Sequence, residues 1–156
     1  MTPSRSEQWS RLALIGGFSA FVLALGLAYQ NPATAYELSI YASTPSTYWV
    51  LTVVAVACAL AVAIVGTHRF RAHALLLGGM SVFSVVSLPL TRGYYFIGSA
   101  DSLTHLGWVR DVIDGETAIG ELLYPGIHSF AILLTEVTGY SPERALMLVV
   151  LSFVAL

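Results

Sequence analysis

The chain has 156 residues, 56% hydrophobic and only 10% charged, with a mean hydropathy of +0.76; soluble domains carry roughly 25% charged residues, so an ordinary soluble fold is excluded. The net charge is -2 and there is no lysine, which leaves no basic stripe and excludes nucleic acid as a partner. The single cysteine, Cys58, lies in an apolar run, so no intrachain disulfide can form and a packing role is expected.

Crossing a hydrocarbon core of about 30 Å takes roughly 20 apolar residues of helix. Residues 12–29 form the first such run, flanked by Arg5 and Arg11. Ala33-Thr34-Ala35 after it has the small-x-small pattern of a signal-peptide cleavage site. The apolar run is longer than a signal core of 7–15 residues, however, and a second span follows at once, so an uncleaved helix is expected. Gly16, Ala20, Ala24 and Ala28 place a small residue at every fourth position, a stripe that lets helices approach closely in lipid. Tyr36, Tyr41, Tyr48 and Trp49 in the following segment resemble an interfacial aromatic belt.

The second run, 49–66, repeats the stripe at Ala55, Ala59 and Ala63. The third, 74–90, carries a row of Ser81, Ser84 and Ser87. Helix packing explains all three stripes, and none of these helices holds an intramembrane charge that would mark an ion route. Arg69 and Arg71, with His68 and His73, fill the turn between the second and third runs, whereas 31–48 contains no Arg or Lys. The excess of positive charge in short loops puts the N-terminus and the 67–73 turn in the cytoplasm, with loops 30–48 and 91–123 outside. Arg144 agrees with this orientation if the next segment crosses.

The outer loop concentrates the polar chemistry. Residues 92–130 hold five of the nine acidic residues and two of the four histidines. Asp101 follows Gly98-Ser99-Ala100 and stands where a helix N-cap belongs. At 100° per residue, Leu103, Leu106, Val109 and Ile113 share one arc; Asp101, Thr104, His105, Trp108 and Asp111 share the opposite one. Gly115 supplies a stop. The pattern is an amphipathic helix of about four turns lying along the outer membrane interface.

Asp101 and His105 are one turn apart, so the carboxylate can orient the imidazole or the two can share a metal ion. Alternatively, Asp101 only caps the helix and His105 faces water. Two ligands do not make a metal site; the remainder would come from His128, Glu121 or residues beyond Leu156. Asp101 and Asp111 lie about 15 Å apart along one helix, too far for a carboxylate pair that works at about 5–9.5 Å. Arg110, Asp111, Asp114, Glu116 and Glu121 read as solvated or headgroup-facing residues.

Tyr124-Pro125 opens the next helix, 124–138, with proline at its first turn. His128 then falls one turn inside it, facing either lipid headgroups or the Asp101 helix. This segment is short and contains Glu136, so it is a tilted span, a re-entrant segment or a short helix lining a cavity. Ser141, Pro142 and Glu143 give the last run, 144–156, a strong start. Its 13 residues rise only about 20 Å, which suggests an N-terminal fragment of a longer protein. The fold expected is all-α: a polytopic transmembrane helical bundle with an amphipathic interfacial helix in a long outer loop.

The order of Asp101, the D-x-x-x-H helix with Trp108-x-Arg110-Asp111, an acidic segment and Tyr124-Pro125-x-x-His128 resembles the first outer loop of GT-C-type integral membrane glycosyltransferases, the superfamily of oligosaccharyltransferase catalytic subunits and protein mannosyltransferases. The likeness covers 93–142. Here the loop follows the third helix rather than the first, and Asp101 is followed by Ser102 rather than by a second acid. The resemblance implies sugar transfer from a polyprenyl-phosphate-linked donor at the outer face of the lipid bilayer. Asp101 would act as general base or hold a divalent cation, Mg or Mn, with His105 orienting it. Trp108, Arg110, Tyr124 and His128 would bind substrate, Arg110 through the donor phosphate. Arginine as the only strong cation, in an alanine- and valine-rich chain, resembles high-GC prokaryotic usage, archaea among them. The competing class is non-enzymatic: a subunit, transporter part or assembly factor whose outer loop is an interfacial clamp.

Overall fold

A computed structural model describes residues 4–98 and 101–155; Ser99 and Ala100 of the expected turn, and Leu156, lie outside the described residues. The described residues are helical without strands and form two compact units, the first ending at Gly93 and the second beginning at Tyr94.

The first unit opens with α1 (Arg5–Gln30). Ser4 and Glu7 build a reciprocal capping box at its start, satisfying two backbone N–H groups. A short turn, α2 (Ile40–Ser43), precedes α3 (Ser46–Val65). A 3-10 turn at His68–Phe70 leads into α4 (Arg71–Val86), and α5 (Leu88–Thr91) closes the unit. α1 and α3 are each long and apolar enough to cross a membrane.

The third apolar run is not one helix but two. Pro89 has no N–H to bond the carbonyl four residues back, so α4 stops at Val86 and α5 restarts beyond Ser87, with Pro89 in its first turn where no N–H is needed. Arg92 ends α5.

Small side chains line much of this unit's interior: Ala20, Ala24, Ala28, Ala55, Ala59 and Ala74 are buried beside larger groups such as Leu14, Phe21 and Leu77. Gly17, rather than the exposed Gly16, begins the packed stripe of α1. A Cβ at Gly17 would stand 2.6 Å from Leu77 Cδ2 and 2.9 Å from Cys58 Cβ. Large apolar groups such as Leu12, Ile15, Leu23, Val53 and Ile64 point outward, an apolar exterior over an alanine-rich interior. Tyr48 does not belong to an aromatic belt: it is fully buried, and its hydroxyl lies 3.1 Å from Ser84 Oγ. Because Ser84 Oγ–H is committed to the Ser81 carbonyl at 2.7 Å, the tyrosine is the donor. Tyr36 and Tyr41 are exposed, as a belt requires.

The second unit packs α6 (Ser102–Ile113), α7 (Pro125–Thr138) and α8 (Pro142–Ala155) around Leu106, Val109, Ala131, Leu146 and Val149. Gly115 after α6 and Gly139 after α7 take φ of +77 and +71, the left-handed stops that glycine alone adopts without strain. At 14 residues, α7 and α8 each rise about 21 Å, short of a 30 Å hydrocarbon core.

Candidate functional site

Four of the expected site residues, His105, Trp108, Tyr124 and His128, come together around the pair of histidines. His105, the fourth residue of α6, places Nδ1 3.0 Å from Nε2 of His128, the fourth residue of α7. His128 Nδ1 lies 2.6 Å from the carbonyl oxygen of Tyr124, the residue that caps α7. These contacts fix the protons. A carbonyl only accepts, so His128 Nδ1 carries the hydrogen; neutral His128 then presents a lone pair at Nε2, and His105 Nδ1 donates to it. Neutral His105 is left with a lone pair on Nε2, which has no protein partner among the described residues.

His128 has no exposed surface, whereas His105 is half-buried. Burial lowers the His128 pKa below 6.5; the Tyr124 carbonyl opposes the shift and nearby His105 adds to it. The buried imidazole therefore favours its neutral form and holds His105 rather than acting on a ligand itself. Trp108 meets both imidazoles edge-on, at 5.3 Å from His105 and 5.5 Å from His128. Tyr124 places its half-exposed ring 6.0 Å from His105. Of the two directions open to His128, then, it faces α6.

Asp101 occupies the N-cap position of α6, but its side chain makes no capping bond. Its backbone is already helical, with φ -68 and ψ -11, which turns the carboxylate away from the N–H groups it would otherwise accept. It is exposed and bonded to His105 only through the backbone, His105 N–H to Asp101 O at 3.0 Å. The orienting partner of His105 is thus His128, not Asp101. Among the described residues no three His, Cys, Asp or Glu side chains converge on a point. Asp101 and His105 supply at most two donors, so the residues present do not fit a divalent cation by themselves.

The apolar arc of α6 is narrower than its periodicity predicts. Leu106 and Val109 are buried, but Leu103 is exposed; the histidine side of the helix takes up part of the packed face instead.

Arg110 has an occupation the sequence does not announce. Its Nη2 donates to Tyr95 Oη at 2.7 Å and to Glu143 Oε1, and Tyr95 donates to the same carboxylate oxygen at 2.9 Å. Glu143, 3% exposed, sits in the first turn of α8. Burial pushes its carboxyl up, but bonds from Ser141, its own backbone N–H, Arg110 and Tyr95 outweigh that and hold it at about 2. This three-way contact ties the start of the unit, α6 and α8 together. The 48-residue gap between Tyr95 and Glu143 hides it from any local spacing rule.

Set against known protein families, characterised proteins and solved structures, the chain matches none.

Proposed function

We propose that this chain belongs to a multi-pass membrane protein that transfers a sugar from a lipid-phosphate donor to a hydroxyl acceptor at the outer face, in the manner of GT-C-type glycosyltransferases. In this reading α1, α3 and the broken α4–α5 pair cross the bilayer with the N-terminus inside. α6 lies at the outer interface, and α7 is a short helix lining the site. The carrying observation is the chain Tyr124 carbonyl–His128–His105, which leaves an imidazole lone pair one helical turn from the exposed Asp101 carboxylate.

The acceptor hydroxyl gives its proton to His105 Nε2 while its oxygen bonds the anomeric carbon; the bond from that carbon to phosphate breaks, and the phosphate leaves on its lipid. Asp101 stabilises positive charge building on the sugar and on His105. No step is routed through a metal. Trp108, its ring edge against both imidazoles, offers an aromatic surface to the sugar.

The test is sugar transfer by the complete protein carrying Asp101→Asn, His105→Gln or His128→Ala. The first two are expected to lower turnover by at least about 100-fold, the usual size of a general acid–base contribution. His128→Ala is expected to lower turnover less and to shift its pH profile, because His105 loses its fixed tautomer. Wild-type turnover in Asp101→Asn and His105→Gln together would sink the enzymatic reading.

A second reading has one observation of its own. Arg110, the residue expected to hold donor phosphate, is bonded to Glu143 and Tyr95. A non-enzymatic clamp predicts that the same variants alter assembly or melting temperature and leave no chemistry to lose.

A further inference from the structure

We infer that the arginine-rich end of the first unit is a docking surface for the phosphate headgroups of anionic lipids. The inference rests on the membrane reading above but not on the sugar-transfer reading.

Four of the seven arginines gather there. Arg5 and Arg11 come from the start of α1, Arg69 from the 3-10 turn and Arg71 from the start of α4. Two contacts bring these segments together. Arg11 and Arg69 both lie over the ring of Phe70, at 5.9 and 6.0 Å from its centroid, and Thr67 N–H reaches Ser10 Oγ at 3.4 Å. Arg11 and Arg69 are therefore held beside one aromatic ring, and Arg71 directly follows Phe70 in the chain.

Their charge is only partly offset: among the described residues no carboxylate lies within ion-pair distance of any of the four, and Glu7 sets one negative charge against four positive ones. The unit has two carboxylates, Glu7 and Glu37. Glu7 is engaged in the Ser4 capping box, and Glu37 is paired with Arg92. All four arginines are exposed, as are His68 and His73 beside them. A surface with this charge attracts anions.

The neighbouring surface identifies the anion's source. Immediately along α1 from Arg11 stand exposed Leu12 and Ile15, with exposed Trp9 on the other side; along α4 from Arg71 stand exposed Leu75 and Leu76. A cationic rim that includes a tryptophan and borders an apolar wall matches the boundary between headgroups and acyl chains. Each guanidinium can offer paired N–H donors to phosphate oxygens. A soluble polyanion would have to approach across that apolar wall.

The experiment reconstitutes the whole chain in nanodiscs of phosphatidylcholine with a minor fraction of phosphatidylglycerol and weighs the lipids retained, by native mass spectrometry. Phosphatidylglycerol is expected to be enriched over its bulk share. Enrichment should fall about fivefold for each arginine replaced in the series Arg11→Gln, Arg69→Gln, Arg71→Gln. Raising the salt to about 1 M should weaken enrichment in the wild type, a measurement that needs no variant. Bulk composition in the wild-type shell, or enrichment indifferent to both the glutamine series and salt, overturns the inference while leaving the membrane reading intact. Displacement of the lipid by millimolar inorganic phosphate also overturns it, since the site would then take free phosphate. A chain that fails to insert into any nanodisc overturns the membrane reading itself, and this inference with it.

Discussion

Arg92 is 3% exposed, and its guanidinium encloses the Glu37 carboxylate. Nη1 and Nη2 each meet a carboxylate oxygen at 2.8 Å, and Nε donates to the Asn31 carbonyl at 2.9 Å. This fork fastens the segment after α1 to the end of α5, where Ala33 N–H also bonds the Arg92 carbonyl at 2.8 Å. Removing one member leaves a buried charge without its partner, which costs about 3–5 kcal/mol. Arg92→Met is therefore expected to lower stability by that order, and Arg92→Met with Glu37→Leu by distinctly less. A denaturant titration in detergent micelles measures both. Additive losses would mean that the pair is not coupled. In sequence, Arg92 reads as one of two arginines in an outer loop and Glu37 has no visible role. The partners are 55 residues apart, and neither helical periodicity nor a motif links them. The histidine pair shows the opposite case. His105 and His128 are each singled out by local pattern, but only packing of α7 on α6 shows that they meet.

At the level of elements, the small-residue stripes are legible because packed helices can approach closely only where side chains are small. The register is off by one at its start: Gly17 makes the close approach, and Gly16 has open space around its Cβ position. Gly17→Leu is accordingly expected to force α1 away from Cys58 and Leu77 and to cost about 1–3 kcal/mol, whereas Gly16→Leu stays near neutral. Comparing the melting temperatures of the two variants is the check; equal losses would refute the assignment. The break at Ser87 is also physically legible, since Pro89 stands in the sequence, but an apolar count over 74–90 passes straight across it. On α6, periodicity correctly places Leu106 and Val109 inside. It misses the half-burial of His105 and Trp108 because an aromatic cluster with α7 competes for the same face.

For the whole molecule, the two titrations in the second unit have the same sign. Glu143 is held at about 2, below its ordinary 4.5, so its stabilisation is complete above about 4.5 and is lost as pH falls towards 2. His128 is held below 6.5, mainly by burial, so its contribution is complete above that value and is lost as pH falls below it. The unit of α6–α8 is thus expected to loosen on acidification in two stages, the first below pH 6.5 and the second below about 4.5. Amide hydrogen exchange in α8 across pH, corrected for intrinsic rates, follows both. Glu143→Gln should abolish the lower stage only, and exchange protection independent of pH from 7 to 3 would contradict the assignment. The all-helical class and the concentration of polar chemistry after Arg92 were readable from composition and charge alone. The division into two units was not, because it depends on which helices pack together rather than on any single segment.

The Tyr48–Ser84 hydrogen bond fixes the axial register of the first unit. Ser81 and Ser87 stand about 4.5 Å along the rise from Ser84 but about 60° around the helix from it, so a slide of α3 brings neither under the phenol. Any slide strands a buried donor, which is costly. α3 and α4 are thus keyed at Ser84 and not free to slip past one another.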